Sequence, residues 1–396
     1  MELFLQLGYG MKEHSRILFE QWGGGTAILS PRDQDEAAII RCSEELRSSG
    51  GNVLIDPQLF DLGSDYTRLV QQRYWPSGRP ENMLTSREST RHLLTELLSL
   101  NNSAGTSEYI LPGLYCSRVD DSWSAQHDSL VSEAADVMRD KAKLATVCLS
   151  AETVRDETQI DDVLSLVRHW PVEGIYLIAE HPHGDYLVDD PAWLANVLLL
   201  VSSLKIEGRK VVVGYSNHQM LCAAAANADA IASGTFLNVR SFPRGKFRLC
   251  ESTISRRKTW YYCPQAMSEY QVPFLDMAYR AGALGLLTPD ASLESPYANL
   301  LFSGAEPSTT SYTEKDSYRH YLHCLHEQAS MARKETFKAT LEFQFECLVR
   351  ARQQVESLKA YGVFGQNRDF RDIVDVNESS LGSLGSNMGF VLERTW

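Results

Sequence analysis

The sequence has no pair of cysteines at metal-ligating or redox spacing. Its eight cysteines are scattered, with no Cys-x-x-Cys, which argues against a disulfide framework and for reduced, mostly buried thiols in a cytoplasmic protein. No apolar run approaches the roughly 18 residues that cross a bilayer, so no membrane partner is expected. The opening MELFLQLGYGMKEH lacks the basic stretch and small-residue cleavage site of a signal peptide. Positive charge is also short: 38 Lys and Arg stand against 51 Asp and Glu, a net charge of −13. Nucleic acid would therefore have to be met by a local basic patch rather than by overall charge. What the chain does have is a hydrophobic fraction of 43% over 396 residues, enough for a large core with an appendage.

Eight hydrophobic strand candidates occupy the first part of the chain, at 2–9, 25–30, 52–58, 108–116, 144–151, 174–180, 210–215 and 230–236. Stretches between them repeat apolar residues at helical spacing, notably 11–22, 124–142, 158–169 and 191–204. Ser30-Pro31 reads as the cap of the second helix and Gly50-Gly51 as its end. Strands alternating with helices imply a parallel sheet, and their number predicts an α/β fold, a (β/α)8 barrel over residues 1–247. A doubly wound open sheet is the structural alternative. After residue 240 the alternation stops. Residues 248–396 are expected to form a basic and aromatic segment followed by a helical subdomain, with a helix near 265–283, a helical pair over 314–360 and a mobile Ser/Gly/Asn-rich tail from 375 in which Trp396 docks. Residues 61–90, rich in Arg, Pro and aromatics, read as a functional loop.

A barrel carries its chemistry at the C-terminal ends of its strands. Those ends hold Asp56 in NVLIDPQ, Glu180 in IYLIAEHPHGD and the run Tyr215-Ser216-Asn217-His218 in VVVGYSNHQ. Asp56 before Pro57 serves equally as a turn cap. Glu180, His181, His183 and Asp185 suit general acid–base work or a His/carboxylate metal site, or simply form a polar loop. Asn217 and Gln219 have amides able to pair with base edges, and His218 titrates near neutral pH unless it caps a helix. Arg240, Arg244, Lys246, Arg256, Arg257 and Lys258, followed by Trp260 and Tyr261, interleave cations with flat rings as a nucleic-acid or nucleotide site does. The plainer reading is a solvated face over core aromatics. Cys263, His320, His323 and Cys324 are candidate zinc ligands, although buried thiols and a polar stripe explain them as well.

The stretches VEGIYLIAEHPHGD, VVVGYSNHQMLCAAAANADAIASGTFLNVR, SYRHYLHCLHEQ and ILSPRDQDEAAII…GGNVLIDPQ resemble, in order and spacing, the tRNA-guanine transglycosylase family. That family has a strand-six loop ending in Gly-Glu-Pro and a Met-Gly-Val-Gly strand. An Asp-x-x-Asp strand running into Asn-x-Arg follows, then a late Tyr-Leu-His-His helix. The resemblance implies a barrel that recognises a guanine or 7-deazaguanine base and exchanges it at a glycosidic bond in nucleic acid or nucleotide. Asp56 would accept from the base, Glu180 would match the strand-six glutamate and Cys116 would stand where a base-binding glutamine is usual. Asp229 would match the first aspartate of the pair. The second, the family's nucleophile, falls on Ala232. The early Asp-Ser-Gly-Gly motif and the zinc motif are missing, so no resident metal or other cofactor is implied.

Catalysis would then draw on Glu180, Asp185, His218 and Asp229, and base binding on Asp56, Cys116, Asn217 and Gln219. The most similar context is the transglycosylase-like proteins of type IV CBASS antiphage operons, which implies protein partners of a defence operon and a homodimer through the late helices. Two other functions compete. One is an inactive barrel serving as a base- or partner-binding scaffold. The other is a metal-dependent hydrolase built on Glu180, His181, His183 and Asp185.

Overall fold

The computed structural model describes all residues except 77–83, 85 and 249–257. Its centre is a curled sheet of parallel strands. These are β1 Glu2–Gln6, β2 Gly25–Leu29, β3 Gly51–Ile55, β4 Tyr109–Leu111, β5 Tyr115–Cys116, β6 Lys143–Leu149, β7 Gly174–Ala179, β8 Lys210–Val213 and β9 Ala230–Ser233. The strand order is β3-β2-β1-β9-β8-β7-β6-β4, with β5 also on β6. The expected fourth strand is two short ones, because Pro112-Gly113 interrupts it. A Cβ at Gly113 would lie 2.3 Å from the carbonyl oxygen of Thr146, so only glycine lets the bend lie against β6.

The strands are near-continuous apolar runs because both their faces are covered. Phe4, Ile28, Leu54, Ile110, Leu144 and Val212 pack inside the curl. Leu5, Leu29, Ile55, Val147 and Leu177 face outward into the helix layer. No ladder joins β3 to β4, the two ends of the sheet. A backbone bond from Ser107 N to Val53 O (3.1 Å) crosses between them.

The outer helices are α1 Lys12–Trp22, α2 Glu36–Ser48, α3 Thr67–Val70, α4 Arg87–Ala104, α5 Asp121–Val137, α6 Ala151–Arg155, α7 Glu157–Val167 and α8 Pro191–Ile206. The second helix is capped by Asp35, whose side chain accepts from Ala38 N, and not by Ser30-Pro31. Ser30 instead directs its hydroxyl to Asp33 and Gln58. The Arg- and Pro-rich stretch gives way to α4, whose cap Ser86 accepts from Ser89 N.

Residues 260–271 form a hairpin, β10 Trp260–Cys263 with β11 Ser268–Gln271, where a helix was expected from 265. The chain continues through α9 Val272–Arg280, α10 Glu314–Ala332, α11 Phe337–Lys359 and α12 Val374–Thr395. The expected mobile tail is therefore a helix. Val374, Asn377, Leu381, Leu384 and Leu392 recur on one buried face, and that face packs on α8. Burial of this stripe outweighs the poor helix propensity of its glycines and serines. Trp396 closes the tail by donating from Nε1 to Lys334 O (2.9 Å). No helix among the described residues is long and apolar enough to cross a membrane.

Candidate site at the strand C-termini

Inward-facing positions at the C-terminal ends of the strands assemble a polar cluster. Asp56 follows β3 and is 0% exposed. Its Oδ2 accepts from the Tyr215 hydroxyl (3.0 Å) and more distantly from the Tyr176 hydroxyl (3.4 Å), and its Oδ1 from Gln58 N (3.0 Å). Tyr176, from β7, gives its main bond to Gln6 Oε1 (2.7 Å) at the end of β1. Tyr176 reaches across the curl because residue 214 is glycine, where a Cβ would stand 2.5 Å from its ring. Gln58 and Tyr215 are both non-glycine residues with positive φ, 57° and 54°, and Gln58 Nε2 donates to the Tyr215 hydroxyl (3.1 Å). Strain of this kind, held by a hydrogen-bonded network, is typical of functional sites.

Aromatic rings lie over the cluster. Phe242 has its centroid 5.0 Å from Phe60, 5.3 Å from Tyr215 and 5.6 Å from Phe247, and it stacks at 21° to Tyr115. Two cations edge the rings. Lys246 Nζ is 4.4 Å from the Tyr215 centroid and the exposed Arg244 guanidinium is 4.3 Å from that of Tyr115. Glu180, following β7, accepts from the Tyr115 hydroxyl (2.5 Å) and from the first amide of α6, Ala151 N (3.4 Å).

Burial governs the electrostatics. It pushes the Asp56 carboxyl up to about 6, against the opposing pull of the Gln58 amide, Tyr215 and Lys246. Burial lowers the Lys246 amine to about 7, with Arg32 adding to it and Asp33 and Asp56 opposing. Tyr176 and Tyr215 are raised by burial and then by Asp56, so both stay protonated donors. Burial thus moves the Asp56 carboxyl up and the Lys246 amine down, while Lys246 Nζ, on a half-buried side chain, donates to Asn238 O (2.7 Å).

The other expected site residues disperse. Asn217 is fully committed: its amide donates to Tyr186 O (2.6 Å) and its Oδ1 caps Gln219 N (2.8 Å). Gln219 is tied to both backbone groups of Val188 and to Asn377. Neither offers an amide to a base. Cys116 packs outward into the helix layer. His218 is buried among Tyr186, Tyr262, Tyr321 and Phe370, away from Asp56, and burial lowers it to about 4, so it is uncharged at neutral pH. Asp229 precedes β9 at the opposite end of the sheet. It pairs with Lys205 (2.8 Å) and accepts from Val211 N (2.6 Å), a structural post away from the site. Asp185 and His183 are exposed on their loop while His181 is buried against Asp185 O, so the proposed hydrolase set does not converge.

Among the basic and aromatic candidates, Arg240 is 2% exposed in a buried triad with Glu269 (3.1 Å), which also binds Arg368 (2.8 Å). Burial alone would raise the Glu269 carboxyl, but Arg368 and Arg240 outweigh it and bring it down to about 2. Tyr261 is core, Trp260 lies under Arg368 and Lys258 is exposed. Arg256 and Arg257 lie outside the described residues. The zinc candidates are engaged elsewhere: His320 Nε2 meets Tyr262 O (2.7 Å) and His323 lies by Trp22 and Glu294 O. No group of three metal-ligating side chains forms among the described residues.

Gln6, Tyr115, Tyr176, Phe60 and Phe242 were not foreseen. Gln6 and Tyr176 left a trace, since each is a polar group at an inward position of an otherwise apolar strand. Phe60 and Phe242 left none, because they arrive from loops.

No protein-family model and no curated protein sequence matches the chain. Among solved structures, the 3-dehydroquinate dehydratase of Aquifex aeolicus VF5 is 11% identical at a TM-score of 0.34, over 59% of this chain and 89% of that one. The homocysteine methyltransferase MmuM of Escherichia coli is 15% identical at 0.34, over 58% and 90%. A glucosidase of Croceicoccus marinus is 11% identical at 0.34, over 69% of this chain and 62% of its own. Similarity this remote assigns none of those activities to the chain.

Proposed function

We propose that the chain is a (β/α)8 barrel with its seam between β3 and β4, and that its strand C-termini form a recognition site for a guanine-type or 7-deazaguanine base. The observation that carries this reading is Asp56, a buried carboxylate beneath aromatic rings with cations at the edge. An ionised carboxylate accepts two parallel donors such as the N1–H and 2-amino group of guanine, and its Oδ1 takes only one amide in the structure, which leaves acceptor capacity. Phe242 and Tyr115 offer stacking faces, and Arg244 and Lys246 suit the phosphate of a nucleotide or nucleic acid. Base exchange at a glycosidic carbon falls to Glu180, the carboxylate held by Tyr115 at the edge. The defence-operon setting and its protein partners are proposed on the sequence resemblance.

Calorimetry with guanine and 7-cyano-7-deazaguanine tests the reading. Wild type is expected to bind, and the isosteric Asp56→Asn variant, which presents a donor amide, to bind at least about tenfold more weakly. Equal affinities would remove Asp56 as the reader of the base. A second reading, recognition without exchange, is favoured by Ala232, whose methyl is buried inside the curl at the position of the resembled family's nucleophile. Product formation from a guanine-containing nucleoside by wild type would exclude it.

A further inference from the structure

α8 and α12 share an outer face without charge. Neither residues 191–204 nor residues 379–392 contain a charged side chain. The two helices lie side by side, with the Ser380 hydroxyl donating to Pro191 O (3.0 Å). A helix apolar all round belongs in an interior, yet on α8 Pro191 and Ala192 are exposed and Ala195 and Leu199 half-buried. Together with Ser379, Ser383, Asn387 and Met388 of α12 they line an open groove.

Along α12, Ser379, Ser383, Asn387, Phe390 and Arg394 recur at helical spacing, so the last two stand on the groove's own face. Phe390 is 75% exposed. A bare ring and an open groove on one face are a knob and a hole that a single copy cannot join. The two ends of the groove also differ in charge. At the start of α8 lie Glu152, Asp156 and Glu157, all exposed, while Arg155 among them is already paired with Asp190 (2.7 Å). At the other end Arg394 holds its guanidinium 4.7 Å from the Phe390 centroid.

We infer that this face joins two copies of the chain about a two-fold axis. With α12 antiparallel to its counterpart and the axis passing between Ser386 and Asn387, Phe390 meets the partner's Ser383 and enters the groove beside the partner's Leu199. Arg394 meets the partner's Ser379 and reaches the partner's Glu157. The two-fold makes each contact twice. A centre depleted of charge inside a charged rim is the anatomy of a protein interface, and here one chain supplies both signs of the rim in the order a second copy needs. The pairing rests neither on the base-recognition reading nor on the family resemblance.

Sedimentation equilibrium of the full chain tests it. Wild type is expected to be dimeric at tens of micromolar. Phe390→Asp should raise the dissociation constant at least about tenfold, while unfolding in urea as wild type does when both are dilute. Arg394→Glu should weaken the dimer, and adding Glu157→Arg to it should restore the pairing, a rescue that a folding defect would not give. Asn387→Cys, beside the axis, should form a disulfide-linked dimer on oxidation where wild type forms none. A wild type that stays monomeric at these concentrations would overturn the inference, as would a dimer indifferent to Phe390→Asp and to the charge exchange.

Discussion

The titration of Asp56 gives the sharpest handle on the candidate site. In the unfolded chain its carboxyl titrates at 3.8, and in the folded protein at about 6. With the folded value raised, its contribution to stability is fully present below 3.8 and is lost as the pH climbs through about 6. The gap corresponds to about 3 kcal/mol. Buried His181, His218 and His320, held at about 4, act with the opposite sign, since their contribution is lost as the pH falls from 6.5 towards 4. Wild-type stability alone would therefore blend the two. The difference between wild type and Asp56→Asn cancels the histidines. Urea unfolding at intervals from pH 4 to 7 should show the Asn variant gaining about 3 kcal/mol on wild type across the range. In the same window, affinity for guanine should fall by about tenfold for each pH unit below 6, because only the ionised carboxylate accepts. A stability difference that stays flat with pH would refute the argument, because it would mean that Asp56 is either solvated or already neutral at pH 7.

Glu269→Ala leaves Arg240 and Arg368 buried without their shared counter-ion and should cost about 3–5 kcal/mol in chemical denaturation, whereas replacing Glu269, Arg240 and Arg368 together by apolar residues should cost much less. Asp229→Asn should lower stability by about 1–3 kcal/mol through loss of the charged bond to Val211 N while leaving guanine affinity unchanged by calorimetry. A loss of affinity would restore Asp229 to the site. Leu381→Ala on α12 should cost about 2–5 kcal/mol, and Phe390→Ala, 75% exposed on the same helix, within about 0.5 kcal/mol. Similar effects of the two would return the tail to the mobile state. Tyr115→Phe removes the donor to Glu180 and should lower any base-exchange rate about tenfold with little change in the melting temperature.

The strands were legible because each is an apolar run between turn residues, and that signal survives any tertiary context. Asp56 and Glu180 were legible because position at a strand end is a topological property. What failed shares one cause, the dependence of a polar side chain's role on partners distant in sequence. Asn217 looks like a base reader until Tyr186 O and Gln219 N take its valences. Arg240 belongs to a basic run, yet Glu269, from a hairpin the sequence pattern hid, draws it inside. Likewise α12 reads as a mobile tail by composition, and only the apolar surface of α8 makes its leucines a stripe.

The two polar centres of the molecule differ in a way that bears on function. In the triad, Glu269 takes one bond from each of two guanidiniums and is driven to about 2, so it stays charged at any physiological pH and serves to fasten the hairpin to the segments that follow β9 and α11. Around Asp56 the compensation is incomplete. Neutral hydroxyls and an amide contact the carboxylate directly, burial wins over them, and the nearby Lys246 gives its amine to Asn238 O rather than to Asp56. A structural role would be better served by a fixed charge or by none. A carboxyl raised by burial, under rings and beside strained Gln58 and Tyr215, suits a site completed by a ligand that supplies the missing donors, as the proposed base with adjacent N–H groups would.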